Sequence, residues 1–207
     1  MKIISINIRS IRKHFQDLLK DPEIINSDII AMQQTCLLKA DCTKSYKMDG
    51  YTPHFNSAGN GKGICIFFNN TFALDTVISE KSYQISKLVS KDYDFISVYR
   101  SSDSNRCNQK TFCSNLRELI NRRKNTIISG DFNINGLSKN ENSIPVTLVK
   151  SGLKQITKKP THIRGGLIDQ CYVSEGVSND CLILRQKAVY YTDHDLVKLM
   201  VMPTAEL

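Results

Sequence analysis

Several features that would restrict the class of this 207-residue chain are missing from its sequence. No apolar run approaches the roughly 20 residues that a membrane-spanning helix needs. The first seven residues hold no long apolar stretch and no small-residue cleavage site, so we expect no secretory signal. There is no short-period repeat, low-complexity tract or proline-rich linker. We therefore expect one globular domain over residues 1–207.

The cysteines do not have the spacing of a zinc site or a disulfide framework. They number seven, which is odd, and no Cys-x-x-Cys pair occurs. Cys65 and Cys171 lie among apolar residues, which predicts that they are small core side chains. This usage favours a reducing, intracellular compartment.

The charge balance is basic. Lys and Arg number 28 against 20 Asp and Glu, which gives a formal net charge of +8. A positive field of this size suits a polyanion partner such as nucleic acid, although a merely basic soluble enzyme has the same balance. The local basic clusters, each also compatible with a solvated surface, are Arg9, Arg12, Lys13 and His14; Arg122, Arg123 and Lys124; and Lys158, Lys159 and Arg164.

Strand and helix patterns alternate loosely along the chain. Ile4, Ile6 and Ile8 alternate with polar residues, which is strand periodicity. Further strands are predicted at 29–32, 63–68, 95–99, 126–129, 182–184 and 196–202, and helices around 11–19 and 112–120. Val146, Val149 and Leu153 indicate another helix, which Gly152 ends. Several strands are separated by turn-rich segments rather than crossover helices, so antiparallel pairs are expected.

The glycine-rich segment Gly59-Asn60-Gly61-Lys62-Gly63 invites comparison with a phosphate-binding loop. Such a loop needs a hydroxyl residue after its lysine and a helix after that. Here no hydroxyl follows Lys62, and a strand follows the segment, so a turn is the better interpretation.

Polar side chains stand where apolar strands end. The run Thr126–Ser129 stops at Gly130-Asp131-Phe132-Asn133, an acid that could act as a base and an amide that could donate to a phosphate. In α/β proteins, groups just past the carboxyl ends of strands face the ligand crevice. The other strand-end sites are Asn7; Gln33-Gln34; Asp169; and Asp193-His194. Each has a structural explanation when taken alone, such as a helix cap at Asn7.

Taken together and in order, six short motifs resemble the endonuclease/exonuclease/phosphatase superfamily, which includes apurinic endonucleases and deoxyribonuclease I. They span nearly the whole chain, and the fourth is an unaltered match. The motifs are Ser5-Ile6-Asn7-Ile8, Met32-Gln33-Gln34-Thr35, Val98-Tyr99-Arg100, Gly130-Asp131-Phe132-Asn133, Leu167-Ile168-Asp169 and Thr192-Asp193-His194.

The resemblance implies an α/β fold with two mixed β-sheets packed face to face as a sandwich and helices outside. It also implies Mg²⁺- or Mn²⁺-dependent hydrolysis of a DNA phosphodiester, which nicks one strand. The implied catalytic residues are Asp131, His194 held by Asp169, Asn133 and Tyr99, and the implied metal-site residues are Asn7, Gln34 and Asp193. Candidate contacts to the DNA backbone are Arg9, Lys62, Arg100 and Arg164.

Two further stretches are similar to endonuclease domains of mobile elements, either non-long-terminal-repeat retrotransposons or Helitron-type elements. They are Thr161–Gly166, which precedes Leu167-Ile168-Asp169, and Tyr190–Asp195. This similarity implies fusion to reverse transcriptase or helicase domains in a parent protein and an intracellular, nuclear location. Tryptophan is absent, whereas apurinic enzymes of the superfamily usually place aromatic wedges near the abasic pocket. The short chain also lacks room for the decorations of inositol-phosphate phosphatases.

One residue departs from the superfamily's pattern. Gln34 stands where a metal-binding glutamate is expected. A glutamine offers one neutral carbonyl oxygen, so metal affinity and activity should fall. The chain is then a Glu→Gln form of an active enzyme, a natural variant with weakened activity, or a non-catalytic DNA-binding module. A phosphoesterase that acts on a small-molecule or lipid phosphate is a further alternative.

Overall fold

A computed structural model of the chain describes residues 1–38, 41–57, 62–102, 106–138 and 142–203. The strands, in chain order, are β1 Lys2–Asn7, β2 Ile29–Gln33, β3 Thr52–Asn56, β4 Ile64–Phe68, β5 Ala73–Ser79, β6 Tyr83–Val89, β7 Tyr93–Arg100, β8 Asn125–Asp131, β9 Leu153–Gln155, β10 Asp169–Ser174, β11 Leu182–Lys187 and β12 Leu196–Val201. The α-helices are α1 Ile11–Leu19, α2 Pro22–Ile25, α3 Arg106–Leu119 and α4 Ser143–Lys150.

The strands form two six-stranded mixed sheets. The first has the order β11-β12-β1-β2-β4-β3, and the second has the order β5-β6-β7-β8-β10-β9. Each sheet contains one parallel pair near its centre, β1 with β2 and β7 with β8, and the other pairs are antiparallel. The two mixed sheets with helices outside confirm the predicted α/β sandwich.

The parallel pairs explain where polar side chains gather. A parallel pair needs a crossover connection, which α1 supplies between β1 and β2 and α3 supplies between β7 and β8. In each pair the carboxyl ends lie side by side: Asn7 is opposite Gln33, and Tyr99 is opposite Asp131. Because the sheets face each other, the four strand ends meet at one edge of the sandwich.

The core has three layers, since both faces of each sheet are covered. Ile3 of β1 and Ile127 of β8 belong to the layer between the sheets. The next residues, Ile4 and Ile128, point to the opposite faces and pack under α1 and under α3 and α4 respectively. This double burial explains why the central strands are continuous apolar runs rather than alternating ones.

Some details of the sequence prediction were wrong. The helix predicted from Val146 and Val149 ends at Lys150, just before Gly152, the residue predicted to end it, which has a φ of +84°. Leu153 instead begins β9. Strands β3, β5, β6, β9 and β10 were not predicted. β3 contains Pro53 and His54 and lies at the edge of its sheet, where the apolar signal is weak.

The remaining expectations concern cysteines, the glycine-rich segment and membrane spans. Cys65 and Cys171 are buried as predicted, and burial raises the pKa of both thiols. Residues 59–61 of the glycine-rich segment lie outside the described residues. Within the described ranges, none of the helices has the length and apolar character needed to cross a membrane.

Candidate active site

The strand ends enclose a cavity of about 300 Å³, which we call the strand-end cavity. The residues that line it are Asn7, Arg9, Gln34, Tyr99, Ser102, Asp131, Asn133, His162, Arg164, Ile168, Asp193 and His194. Most of the site residues expected from the sequence are therefore brought together, although they are up to 187 residues apart in the chain, as Asn7 and His194 are.

Asp131 lies at the inner end of this cavity, with 1% of its surface exposed. Its Oδ2 accepts hydrogen bonds from the side-chain amides of Asn7 at 2.7 Å and Asn133 at 3.0 Å. Its Oδ1 accepts the backbone N–H of Asn133 at 2.8 Å. Three donors thus hold the carboxylate in one orientation.

The pKa of Asp131 is raised to about 7. Burial is the main cause, and the nearby charge of Asp169 adds to it, while His194, Asn133 and Asn7 oppose the increase. A carboxylate with a pKa near the working pH is suited to accept a proton from water.

Asp169 and His194 form a buried pair next to Asp131. Asp169 begins β10 directly opposite Asp131 on β8. Its Oδ2 lies 2.8 Å from Nδ1 of His194, and the two residues are 2% and 5% exposed. Burial alone would lower the pKa of His194, but the hydrogen bond and charge of Asp169 outweigh burial and raise it. Asp169 therefore stabilises the protonated form of the imidazole. It contacts Nδ1 only, so Nε2 remains available to another partner.

Asp193 is held by two basic side chains. Its Oδ2 lies 2.5 Å from Nη1 of Arg9 and 3.3 Å from Nε2 of His162. Burial would raise the pKa of Asp193, but the hydrogen bond and charge of Arg9 and the charge of His194 lower it. The His162 ring also packs edge-on against His194, with centroids 4.7 Å apart.

His162 was not among the site residues predicted from the sequence. It lies 31 residues before Asp193 and carries no periodic signal of its own. The only signal in the sequence was its place in the stretch Thr161–Gly166, which directly precedes the Asp169 motif. An isolated antiparallel bridge between His162 and His194 places His162 in the cavity. In this bridge the N–H of Ile163 donates to the carbonyl of Asp193 at 3.0 Å.

The backbone is strained around the same cavity. Among the described residues, four other than glycine have positive φ: Arg9 (55°), Gln34 (54°), Cys36 (56°) and Asn133 (49°). Three of them line the cavity, and the thiol of Cys36 contacts the carbonyl of Arg9. Left-handed conformations of this kind cost on the order of 1 kcal/mol each and cluster at functional sites.

The oxygen donors in the cavity fit a divalent cation, but with little negative charge. Oδ1 of Asp193 is buried and accepts no hydrogen bond from any described residue. Oε1 of Gln34 is a neutral carbonyl and accepts the amide of Asn7 at 3.0 Å. Magnesium is usually bound through one or two carboxylates plus waters, so this set is a weaker version of such a site.

Of the four candidate DNA-contact residues, two line the strand-end cavity and two do not. Arg9 and Arg164 line the cavity, and Arg164 is exposed. The ammonium of Lys62 donates to Oγ of Ser101 at 2.7 Å. Arg100 does not have the expected surface position: it is 6% exposed, and its guanidinium donates to the carbonyl of Phe132 at 3.3 Å. It directly follows Tyr99 and therefore points to the other face of β7.

The basic clusters also differ in position. Arg9, Lys13 and His14 line a 590 Å³ groove that adjoins the strand-end cavity. Arg122, Arg123 and Lys124 instead line a 610 Å³ groove beside Asn125, where β8 begins. Since β8 ends at Asp131, that groove is about 20 Å from the cavity at strand geometry.

Comparison with known proteins agrees with this architecture. No protein-family model and no curated protein sequence matches the chain. The 3′ phosphatase NExo from Neisseria, solved with a product DNA hairpin, has a TM-score of 0.79 at 18% identity, over 97% of this chain and 99% of that one. An AP endonuclease from Archaeoglobus fulgidus has a TM-score of 0.78 at 13% identity, over 97% and 99%.

The endonuclease domain of TRAS1, a telomere-specific non-LTR retrotransposon, has a TM-score of 0.69 at 15% identity, over 97% of each chain. These structures are nucleases and a phosphatase, and at such identities the likeness concerns the fold. The chain has the two-sheet fold of endonuclease/exonuclease/phosphatase structures, which confirms the resemblance that its six motifs predicted.

Proposed function

We propose that the chain is a metal-dependent endonuclease of a mobile element, which nicks one DNA strand by hydrolysing a phosphodiester. Its place of action would be intracellular and nuclear, and its parent protein would carry reverse transcriptase or helicase domains. The observation that carries the proposal is the buried Asp131, with a pKa of about 7, beside the Asp169–His194 pair in one cavity.

Asp131 and His194 have complementary roles in this proposal. Asp131 accepts the proton of the attacking water, for which its raised pKa and three fixed donors suit it. His194, whose protonated form Asp169 stabilises, donates to a phosphate oxygen on which negative charge develops. Asn133 and Tyr99 position the phosphate against the cavity wall.

Asn7, Gln34 and Asp193 are the proposed residues of the metal site. A bound Mg²⁺ or Mn²⁺ would neutralise charge on the leaving oxygen. Gln34 supplies an oxygen in the cavity but no negative charge, so we expect weak metal binding and reduced activity in the chain as it stands. The intact hydrogen bonds of Asn7 to Gln34 and Asp131 support this interpretation, because they keep the site assembled.

A non-catalytic DNA-binding module is the second candidate, and the neutral Gln34 is the observation that favours it. Both candidates predict binding to DNA, and they differ in the expected effect of restoring the carboxylate. A nuclease with a weakened metal site regains cutting in the Gln34→Glu variant. A binding module does not.

The test is a nicking assay on supercoiled plasmid with Mg²⁺ or Mn²⁺, with the native chain and Gln34→Glu side by side. Gln16→Glu is the matched control, because Gln16 is exposed on α1 and the charge change is the same. We expect open-circular product from Gln34→Glu and little from the native chain or the control. If Gln34→Glu binds the plasmid without nicking it, the nuclease proposal is wrong.

A further inference from the structure

Two large apolar side chains are far more exposed than the others in the described part of the chain, and both flank Asp193. Tyr190 is 82% exposed and Ile163 is 81% exposed, whereas the next, Val149, is 51% exposed. Tyr190 lies three residues before Asp193. Exposure of a single apolar side chain is ordinary in itself, so what matters is the position of Tyr190 beside the candidate active site.

Tyr190 borders the 590 Å³ groove already described, which we call the tyrosine groove. Arg9, Gln34 and Asp193 line both the tyrosine groove and the strand-end cavity, so the two spaces share a wall. A nucleic-acid strand with a phosphate in the cavity can therefore extend directly into the tyrosine groove.

The groove offers an aromatic platform. The ring of Tyr190 packs edge-on against that of Tyr191, with centroids 5.2 Å apart and an interplanar angle of 89°. Tyr191 in turn stacks on His14 at 5.7 Å. The phenol hydroxyl of Tyr190 donates to Oδ1 of Asp17 at 2.6 Å. Two anchors thus hold the ring in place while most of its surface stays open to solvent.

The groove also offers cations for a backbone. Arg9, Lys13 and His14 line it, and Lys13 is exposed with no carboxylate within 4 Å among the described residues. A basic groove combined with an aromatic face is the arrangement by which proteins hold single-stranded nucleic acid, since every base has a π-face that can stack.

We propose that Tyr190 stacks on an unpaired base next to the phosphate held in the strand-end cavity. The substrate would then be DNA with an unpaired nucleotide at the cut site, rather than a fully paired duplex or a small phosphate ester. This inference rests on the proposed function, because it takes the cavity to be a phosphodiester site. The alternative is a structural role, in which the hydroxyl of Tyr190 only fixes its loop to α1 through the hydrogen bond to Asp17.

The test measures the binding of two labelled strands of about 20 nucleotides by fluorescence anisotropy. EDTA is present to remove divalent metal, so that binding is measured without cutting. One strand is poly-deoxyadenylate, and the other has the same phosphates with abasic residues. Base–aromatic stacking is worth about 1–3 kcal/mol per base, which is roughly 5- to 150-fold in affinity. We expect the native chain to prefer the strand with bases by at least about five-fold.

Three variants decide the source of that preference. Tyr190→Leu keeps an apolar side chain without a π-face and should bind both strands equally. Tyr190→Phe loses the hydroxyl bond to Asp17 and keeps the ring, so it should retain the preference for bases. Lys13→Ala should weaken the binding of both strands by the same factor, since it removes only a charge that contacts the backbone.

Each result has one meaning. If the native chain shows no preference for bases, or if Tyr190→Leu keeps that preference, stacking by Tyr190 is wrong. Nicking by Gln34→Glu together with such a result would leave the nuclease proposal standing. Conversely, a Tyr190-dependent preference in a chain that never nicks would support the stacking site and overturn the nuclease. No binding of either strand by any form would overturn both.

Discussion

The side-chain amide of Asn7 joins the two sheets at the candidate active site by donating to Oδ2 of Asp131 at 2.7 Å. Asn7 ends β1 of the first sheet, and Asp131 ends β8 of the second. The same amide donates to Oε1 of Gln34, so a 1% exposed side chain connects the proposed base to the proposed metal site. The geometry of the cavity thus depends on how the two sheets pack.

Loss of this amide should therefore destabilise the fold as well as the site. We expect Asn7→Ala to lower the free energy of unfolding by about 1.5–3 kcal/mol, the usual contribution of a hydrogen bond to a charged group. Urea denaturation at pH 8, where Asp131 is mostly ionised, measures this. An unchanged midpoint would show that the amide does not support Asp131.

The pKa of Asp131 predicts a stability cost that depends on pH. Between its ordinary value of 3.8 and about 7, the folded protein holds a proton that the unfolded chain has released. The free energy of unfolding is therefore expected to fall by roughly 2–4 kcal/mol as the pH rises through this window. Asp131→Asn carries no charge and should become progressively more stable than the native chain from pH 4 to pH 8 in EDTA.

Asp193→Asn is the control with the opposite sign. The pKa of Asp193 is lowered, so its ionised form stabilises the folded state above the unfolded pKa and that contribution is lost as the pH falls. Asp193→Asn should be less stable than the native chain at pH 7, and the difference should shrink in acid. Thermal melts across the pH range would contradict the account if both variants followed the same trend.

Gly130 is predicted to be irreplaceable for steric reasons. Its φ is +148°, and a Cβ there would lie 1.9 Å from the carbonyl oxygen of Val98 on the neighbouring strand. We expect Gly130→Ala to cost about 3 kcal/mol or more, since overlap and backbone strain add. Gly176→Ala, where no atom lies within 4 Å of the added carbon, should stay within about 0.5 kcal/mol of the native chain in the same denaturation experiment.

Introducing a carboxylate at position 34 should strengthen metal binding. Gln34→Glu adds a charged oxygen to the cavity that Asp193 also lines, and we expect the affinity for Mn²⁺ to rise by at least about ten-fold. Calorimetric titration of the DNA-free protein measures this without reference to activity. The exposed Gln16→Glu should leave the titration unchanged, and an equal gain in both variants would point to general electrostatics instead of a site.

The sequence and the structure agree best on the positions of residues that lie at strand ends. Asn7, Gln34 and Asp131 follow apolar runs, and parallel pairing brings such ends together. The same reasoning was wrong for Arg100, which was expected at the surface and is buried. β7 is buried on both faces, so its sequence does not alternate, and nothing in it distinguishes the face of Tyr99 from that of Arg100.

His162 and Tyr190 show a second limit. Each is held in place by contacts with residues distant in the sequence: His162 with Asp193 and His194, and Tyr190 with Asp17 of α1. Periodicity reports which face of an element is buried, and neither residue lies in a helix or strand. Their positions follow only from the tertiary fold.

The most direct test of the central claim is the single-turnover rate of plasmid nicking with Mn²⁺ by Gln34→Glu, compared with the double variant Gln34→Glu/Asp131→Asn. If Asp131 is the base of a phosphodiesterase site, the first protein nicks, and the second is slower by about 100-fold or more, the usual contribution of general base catalysis. Equal rates in the two proteins, or no nicking by a Gln34→Glu chain that binds Mn²⁺ and DNA, would contradict the account.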